Sequence, residues 1–376
     1  MSKAAELANL IGNINAGGGG VNRNVIINGA MNVAQRTTSY TGLGASSGYY
    51  VCDRWYLYSN DNAGRLTMSQ DSSVPTGKGF ANSLKLDCTT ADTSIGTNES
   101  LQLTQKIESQ NLQSFGKGTS EAKPFAVSFY VKGNASATYV CELMDTDNSN
   151  RHIGKTFNVT TDWTRVEITF PADTTGTFDD DNDQGLNLNI HLHAGSQNTG
   201  GTLQQTWGTL SQADRIGSGT TSFFDSTDRT FFITGVQLEV GQNPTEFEVE
   251  PFQTTYEKCL RYFEKSFQYG DTPAGGISGT VDRAVGIGFA SNAKGHQKEF
   301  NMRKRTSPTL VVYRGNNAGS TNSGTISWYN GSSWAEITPS GYNVRETVFR
   351  LDTQTSGVTS GNAYLLDFNY TADAEL

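Results

Sequence analysis

Cysteine is scarce in this chain, and the four present, Cys52, Cys88, Cys141 and Cys259, are scattered. No C-x-x-C spacing occurs, which excludes a zinc ribbon. Cysteines spread in this way are expected to be buried thiols of a protein assembled in a cytosol, not a disulfide framework. No run reaches the roughly 18 apolar residues of a membrane span. The start, MSKAAELANLIGN, is interrupted by Glu6 and Asn9 and lacks the apolar core of a secretion signal. Positive charge is also short. The formal charge is −9, with 16 basic and 26 acidic side chains over residues 1–250 and 12 and 11 over residues 251–376. Neither part is a polycation, so nucleic-acid binding through counterion release is not expected. The acidic balance points to solubility.

Glycine, by contrast, is plentiful, at 41 of 376 residues, while hydrophobic residues make up only 35%. Gly and Asn supply the positive φ of tight turns, so this mix suits many short strands. Residues 2–12 read as a short helix, with Ser2 as N-cap and Ala4, Leu7, Leu10 and Ile11 on one face. About three turns are marginal alone in water, so the helix either frays as a terminus or docks on another surface. Gly17 to Gly20 form a flexible joint. From Asn24 the period becomes strand-like. VNRNVIINGAMNVAQR (21–36) reads as an opening strand with a bulge or turn at Asn28-Gly29. Further strands are expected at Tyr49 to Tyr58, Ser83 to Leu86, Leu101 to Ile107, Phe125 to Val131, Tyr139 to Met144, Thr164 to Phe170, Leu186 to His193 and Phe231 to Val240. That spacing, with no long helix, predicts a jelly-roll β-sandwich.

Pro251 to Ser266 is the one later helical pattern, with Tyr256, Leu260 and Phe263 on one face. Beyond it about five more strands, among them Ala284 to Phe289, and a hairpin at SWYNGSSW predict a second, smaller β-sandwich. The expected fold class is therefore all-β. Its parts are a helix and Gly-rich joint over 1–23, a jelly roll over 24–250, a connector helix over 251–269 and a C-terminal β-sandwich over 270–376. No repeat period of 20–50 residues is present.

The blocks NVIINGAMNVAQR (24–36), DRW (53–55), FFITGVQLEVG (231–241) and PFQTTYEKCLRYFEKS (251–266) resemble, in combination, virion fibre proteins of tailed bacteriophages, marine podoviruses in particular. The ending DFNYTADAEL (367–376) is similar to the end of such chains. NVIINGAM and GVQLEVG also resemble, more distantly, the first and last strands of carbohydrate-binding modules. The resemblance implies a structural, non-enzymatic protein of the virion, a tail fibre assembled in the host cytoplasm. It implies a homotrimer bound to other tail or virion proteins through its N-terminal helix and contacting host surface glycans, with no membrane insertion. A head fibre or capsid-decorating protein is the alternative, and a glycan depolymerase a further one. Sugar-binding modules of this type often carry calcium near their first and last strands. The comparable positions here, Asn28 and Glu239, offer one charge, so no metal and no cofactor is expected.

Candidate glycan contacts come from strand alternation. In LNLNIHLH, Leu186, Leu188, Ile190 and Leu192 face one side and Asn187, Asn189, His191 and His193 the other. The polar row is either an ordinary hydrated sheet face or a surface whose amides and imidazoles pair with sugar hydroxyls. A metal on His191 and His193 lacks an evident third ligand. Tyr130 is expected to point outward from Phe125 to Lys132, as a stacking platform or as cross-strand packing. Trp207, Trp328 and Trp334 are glycan platforms or plugs of the sandwich ends. Asp179 to Asp183 lack a calcium-loop pattern and read as a solvated turn. Gly44 to Gly48 match G-x-S-x-G without the strand and helix that a nucleophile elbow needs.

Overall fold

The computed structural model describes residues 3–5, 7–8, 22–147, 150–273, 282–290, 293–315, 324–329, 331–354 and 358–376. The chain divides into two compact units. The first comprises the chain up to Ala34, Thr38–Thr255 and Leu376, and the second comprises Gln35–Thr37 and Tyr256–Glu375.

The first unit holds thirteen strands among the described residues: β1 (Ser39–Leu43), β2 (Gly48–Tyr49), β3 (Tyr56–Asn60), β4 (Arg65–Asp71), β5 (Ser83–Thr90), β6 (Ser100–Glu108), β7 (Phe125–Gly133), β8 (Ala137–Asp145), β9 (Arg151–Val159), β10 (Thr164–Phe170), β11 (Gln184–Ala194), β12 (Gly208–Thr209) and β13 (Thr230–Val240). They form two antiparallel sheets, ordered β1-β4-β5-β13-β7-β10 and β12-β9-β8-β11-β6-β3-β2. Period-2 alternation drives the packing. Leu84, Leu86, Val127, Phe129, Phe231 and Ile233 from one sheet meet Leu101, Leu103, Cys141, Leu143, Leu188 and Ile190 from the other in a single core. Each such large side chain contributes on the order of 1.5–3 kcal/mol by leaving water. The jelly-roll sandwich expected from the sequence is present.

The opening stretch is not a strand. Residues 22–36 run as irregular chain with a turn, and Asn28 and Met31 take positive φ (59° and 58°). In place of a ladder, isolated backbone bonds tie this stretch to β13, from Val25 N–H to Leu238 O (3.0 Å) and from Val236 N–H to Gly29 O (3.0 Å). The turn falls where Asn28-Gly29 was expected to place one. A Cβ on Gly29 would lie 2.1 Å from Val236 O, so the close approach requires glycine. Asn28 locks the turn: its Oδ1 accepts Val33 N–H and its Nδ2 donates to Val33 O and Asp53 O. DRW likewise forms a turn before β3, with Arg54 at φ 72° and Trp55 fully buried.

Residues 3–5 and 7–8 are helical, and Ala4 and Leu7 are exposed. Leu10, Ile11 and Gly17 to Gly20 lie outside the described residues. No helix among the described residues is long and apolar enough to cross a membrane. The helix expected over 251–266 runs Phe252–Leu260, because the chain turns into a strand at Phe263.

The second unit contains β14 (Phe263–Lys265), β15 (Asp282–Ala290), β16 (Ala293–Glu299), β17 (Thr309–Arg314), β18 (Ile326–Tyr329), β19 (Trp334–Ile337), β20 (Gly341–Val344), β21 (Val348–Gln354) and β22 (Ala363–Asp373). Its sheet runs β19-β18-β22-β15-β16-β21-β20, with β14 and β17 also on β22. β22 changes neighbours along its length: residues 363–368 pair with β15 and residues 368–373 with β17. Phe300, Val312, Trp328, Phe349, Leu351, Leu366, Phe368 and Tyr370 form its core. The hairpin at SWYNGSSW is β18–β19, with Tyr329 opposite Trp334.

Candidate functional site

The polar row of β11 is not a hydrated face. Asn187, Asn189, His191 and His193 are all buried, each exposing 6% or less of its surface. The reason lies downstream, where residues 195–224 fold back over the outer face of this sheet. Gly154 N–H donates to Gln204 O (2.8 Å), Thr221 N–H to Thr138 O (2.9 Å) and Phe223 N–H to Leu192 O (2.9 Å). β12, from the same segment, pairs with β9. A row placed outward by alternation is thereby roofed.

Under that roof sits a charged cluster. Glu142, on β8, is fully buried and accepts two bonds from Arg215, Nε to Oε1 at 3.0 Å and Nη2 to Oε2 at 2.6 Å. Asn189 Nδ2 adds a third (2.8 Å), and Thr104 Oγ1 donates to Asn189 Oδ1 (2.8 Å). His152 Nδ1 and His191 Nε2 lie 3.0 and 2.9 Å from the carboxylate. Burial alone would raise the Glu142 pKa, but the Arg215 charge and the imidazoles prevail and hold it well below the carboxylate range. Burial pushes His191 down, against the pull of Glu142. A carboxylate so saturated with donors is a structural anion, unsuited to general acid or base work.

The other expected contact residues are also placed as packing. Tyr130 lies on the face away from the core but is buried there, edge-on against Phe80 (5.5 Å), as packing. Trp207 is half-buried at the end of the sandwich, with Nε1 donating to Pro171 O (2.7 Å) and its ring 5.5 Å from Phe125. Trp328 is buried against Tyr364 in the second unit. Trp334 is half-buried beside Tyr329 (5.5 Å), and the Arg283 guanidinium stands 5.3 Å from its ring centre.

One part of the roofed sheet is more open, along β2 and β3, beside the buried outer residues of β6. Register puts Tyr56 opposite Thr104, Tyr58 opposite Gln102 and Asn60 opposite Ser100 on the outer face. Tyr58 is exposed, and Tyr56 is half-buried against Tyr49 (4.9 Å). Lys106 Nζ lies 4.3 Å over the Tyr56 ring and donates to Leu376 O (2.5 Å). Opposite Tyr58 the buried atom Gln102 Oε1 has no protein partner, and the same holds for Ser100 Oγ, opposite Asn60, and for Asn187 Oδ1 on β11. Unpartnered polar atoms of this kind call for a water or ligand. Sequence reading missed Tyr56, Tyr58, Gln102 and Arg215. The signal available was the alternation of YLYSN, whose Leu57 and Ser59 point inward and whose tyrosines therefore point out.

The remaining chemistry is quiet. Asp179, Asp180, Asp181 and Asp183 are exposed, the solvated turn expected. Ser46 lies between two strands with its Oγ near Tyr50 Oη (3.2 Å). All four cysteines are buried free thiols, and burial raises the pKa of Cys52 and Cys141. Glu239 is buried and paired with Arg23 (3.2 Å), and it accepts Thr245 N–H (2.7 Å) and Gln237 Nε2 (2.8 Å). With Asn28 spent on the turn, the calcium-like position is filled by protein donors.

No protein-family model matches the chain, and no curated protein matches it in sequence. Among solved structures, similar chains include the enzymatically active domain of tailspike protein 4 from bacteriophage CBA120, at 11% identity, 58% of this chain and 21% of that chain, with a TM-score of 0.30. A family 4 carbohydrate-binding module matches at 14% identity, 57% and 97% coverage and a TM-score of 0.31. The family 11 carbohydrate-binding module of Clostridium thermocellum matches at 12%, 55% and 99% coverage and 0.28. The chain thus spans about a fifth of the tailspike chain and nearly all of the two modules.

Proposed function

We propose that this chain is a non-catalytic virion fibre protein of a tailed bacteriophage that contacts host surface glycans through the open outer face of β2 and β3. The phage assignment rests on the fibre-like blocks at 24–36, 53–55, 231–241 and 251–266. The glycan assignment rests on one observation. Tyr58 stands exposed beside the unpartnered Gln102 amide oxygen and the Tyr56–Tyr49 pair. Aromatic rings stack on the apolar faces of pyranoses, and nearby amides read their hydroxyls.

The test is binding to an array of bacterial surface polysaccharides, followed by titration of a bound glycan. Tyr58→Ala is expected to weaken binding by about 1 kcal/mol, roughly five-fold in Kd, while Tyr58→Phe retains most of it. Unchanged binding by Tyr58→Ala, or no bound glycan at all, overturns the assignment. Shortening of a bound polysaccharide on incubation overturns the non-catalytic reading. Anchoring by the N-terminal helix, motivated by exposed Ala4 and Leu7, predicts that protein lacking residues 1–16 folds but fails to join particles. Labelling the chain in intact particles separates a tail fibre from a head fibre by position.

A further inference from the structure

At one end of the first unit three buried ligand-type side chains converge. Asp92 follows β5, Glu99 precedes β6 and His193 lies near the end of β11. All three are buried, and one ligand atom from each lies within 4.8 Å of the other two. His193 Nε2 is 3.0 Å from Glu99 Oε2. Asp92 is 94% buried (6% exposed), and its Oδ1 accepts Ser94 N–H (3.0 Å), but its Oδ2, also buried, has no partner. Buried carboxylates are stable when paired or when bound to metal, and an orphaned carboxylate oxygen in a buried site signals a missing ion or water.

We propose that Asp92, Glu99 and His193 form a structural site for a divalent transition-metal ion, with Zn²⁺ the best match. One imidazole and two carboxylates suit zinc or manganese, whereas calcium takes oxygen ligands only. The surroundings orient these groups as metal ligands require. His193 Nδ1 lies 2.8 Å from Ser222 Oγ, so an Nδ1–H bond to that hydroxyl leaves Nε2 free as the ligating nitrogen. Ser222 Oγ is itself held by Phe224 N–H (3.0 Å), and the Phe224 ring packs edge-on to His193 (5.1 Å). Asp92 N–H donates to Phe224 O (2.7 Å), and Gly195 N–H to Glu99 O (2.8 Å). A bound ion would join the β5–β6 loop, β11 and the end of the roof segment that covers Glu142. The site is independent of any glycan.

The test uses the full-length protein, stripped with a chelator and titrated with Zn²⁺, Mn²⁺ and Ca²⁺ separately. One equivalent of Zn²⁺ or Mn²⁺ is expected to bind and raise Tm. Asp92→Asn keeps the Ser94 contact and removes a ligand charge, so it is expected to fold, to bind at least about ten-fold more weakly and to lose the metal-dependent part of Tm. Glu99→Gln is the second variant, should the first fail to fold. Binding of Ca²⁺ alone, undiminished binding by a folded variant, or no uptake of Zn²⁺ or Mn²⁺ overturns the proposal.

Discussion

Changing Glu142 to Gln removes a charge while keeping the shape, and so isolates what the buried cluster contributes. The carboxylate is the anion that Arg215, Asn189 and two imidazoles surround. Without it a guanidinium is left buried and unpaired, and breaking a buried pair from one side costs roughly 3–5 kcal/mol. Glu142→Gln is therefore expected to lower stability by that order in urea unfolding followed by near-ultraviolet circular dichroism. A change below about 1 kcal/mol would contradict the account. The pH dependence follows from the sign of the shift. The folded pKa lies well below the ordinary 4.5, so the unfolded chain binds the proton first as pH falls. The stabilisation is complete above about 4.5 and is lost only as pH falls through the lower folded value. The variant should lack that acid-sensitive component. Alternation in LNLNIHLH correctly separated the two rows of β11, since period 2 is local. It could not report that the polar row is buried, because the cover and Arg215 come from a segment that begins after the strand ends.

β15 inverts the usual rule for a strand on a core. Ala284, Gly286 and Gly288 point inward, and Val285, Ile287 and Phe289 stand exposed. Crowding explains the inward glycines: a Cβ on Gly286 would meet Leu366 Cδ1 at 2.9 Å and one on Gly288 would meet Thr359 O at 2.4 Å. The outward row continues onto Leu365, which is exposed and lies directly opposite Val285. A contiguous apolar face of this kind marks a candidate association surface, and under the proposed fibre reading its partner is another copy of the chain. Replacing Val285, Ile287 and Phe289 together by Thr is expected to turn a trimer into a monomer by light scattering at micromolar concentration. A wild-type monomer, or a trimeric variant, would sink the self-association reading. The pattern V-G-I-G-F was readable as a strand, but which side of it met the core was not, because the glycines on the inner side leave no apolar signal. VNRNVIINGAMNVAQR failed in the opposite way. Its apolar residues read as a strand, and Ile26, Met31, Val33 and Ala34 are buried, yet the turn chemistry of Asn28-Gly29 prevents a continuous ladder.

At the scale of the whole chain, Gln35–Thr37 belong to the second unit although they are flanked by residues of the first. Within the second unit Gln35 Nε2 donates to Phe263 O (3.0 Å). The Arg36 guanidinium lies 3.8 Å over the Phe263 ring and pairs with Asp373 (3.0 Å) and Glu375 (3.5 Å). Those contacts hold the edge where β14 meets the end of β22, from Phe263 opposite Asp373 to Lys265 opposite Thr371. Composition and periodicity mark a boundary only where the character of the chain changes over many residues, so a three-residue excursion carries no signature in sequence. Its energetic signature is specific. A charged, partly buried hydrogen bond contributes about 1.5–3 kcal/mol, which corresponds to roughly ten-fold or more in a local opening equilibrium. Arg36→Ala in the full-length protein is thus expected to speed hydrogen exchange at the amides of Phe263–Lys265 by at least about ten-fold, while amides of β6 and β11 keep their protection. Equal exchange at β14 in the variant and the parent would mean that Gln35–Thr37 add nothing to the second unit. Loss of protection in both units together would mean that the chain opens as one body, with stability shared across every strand described.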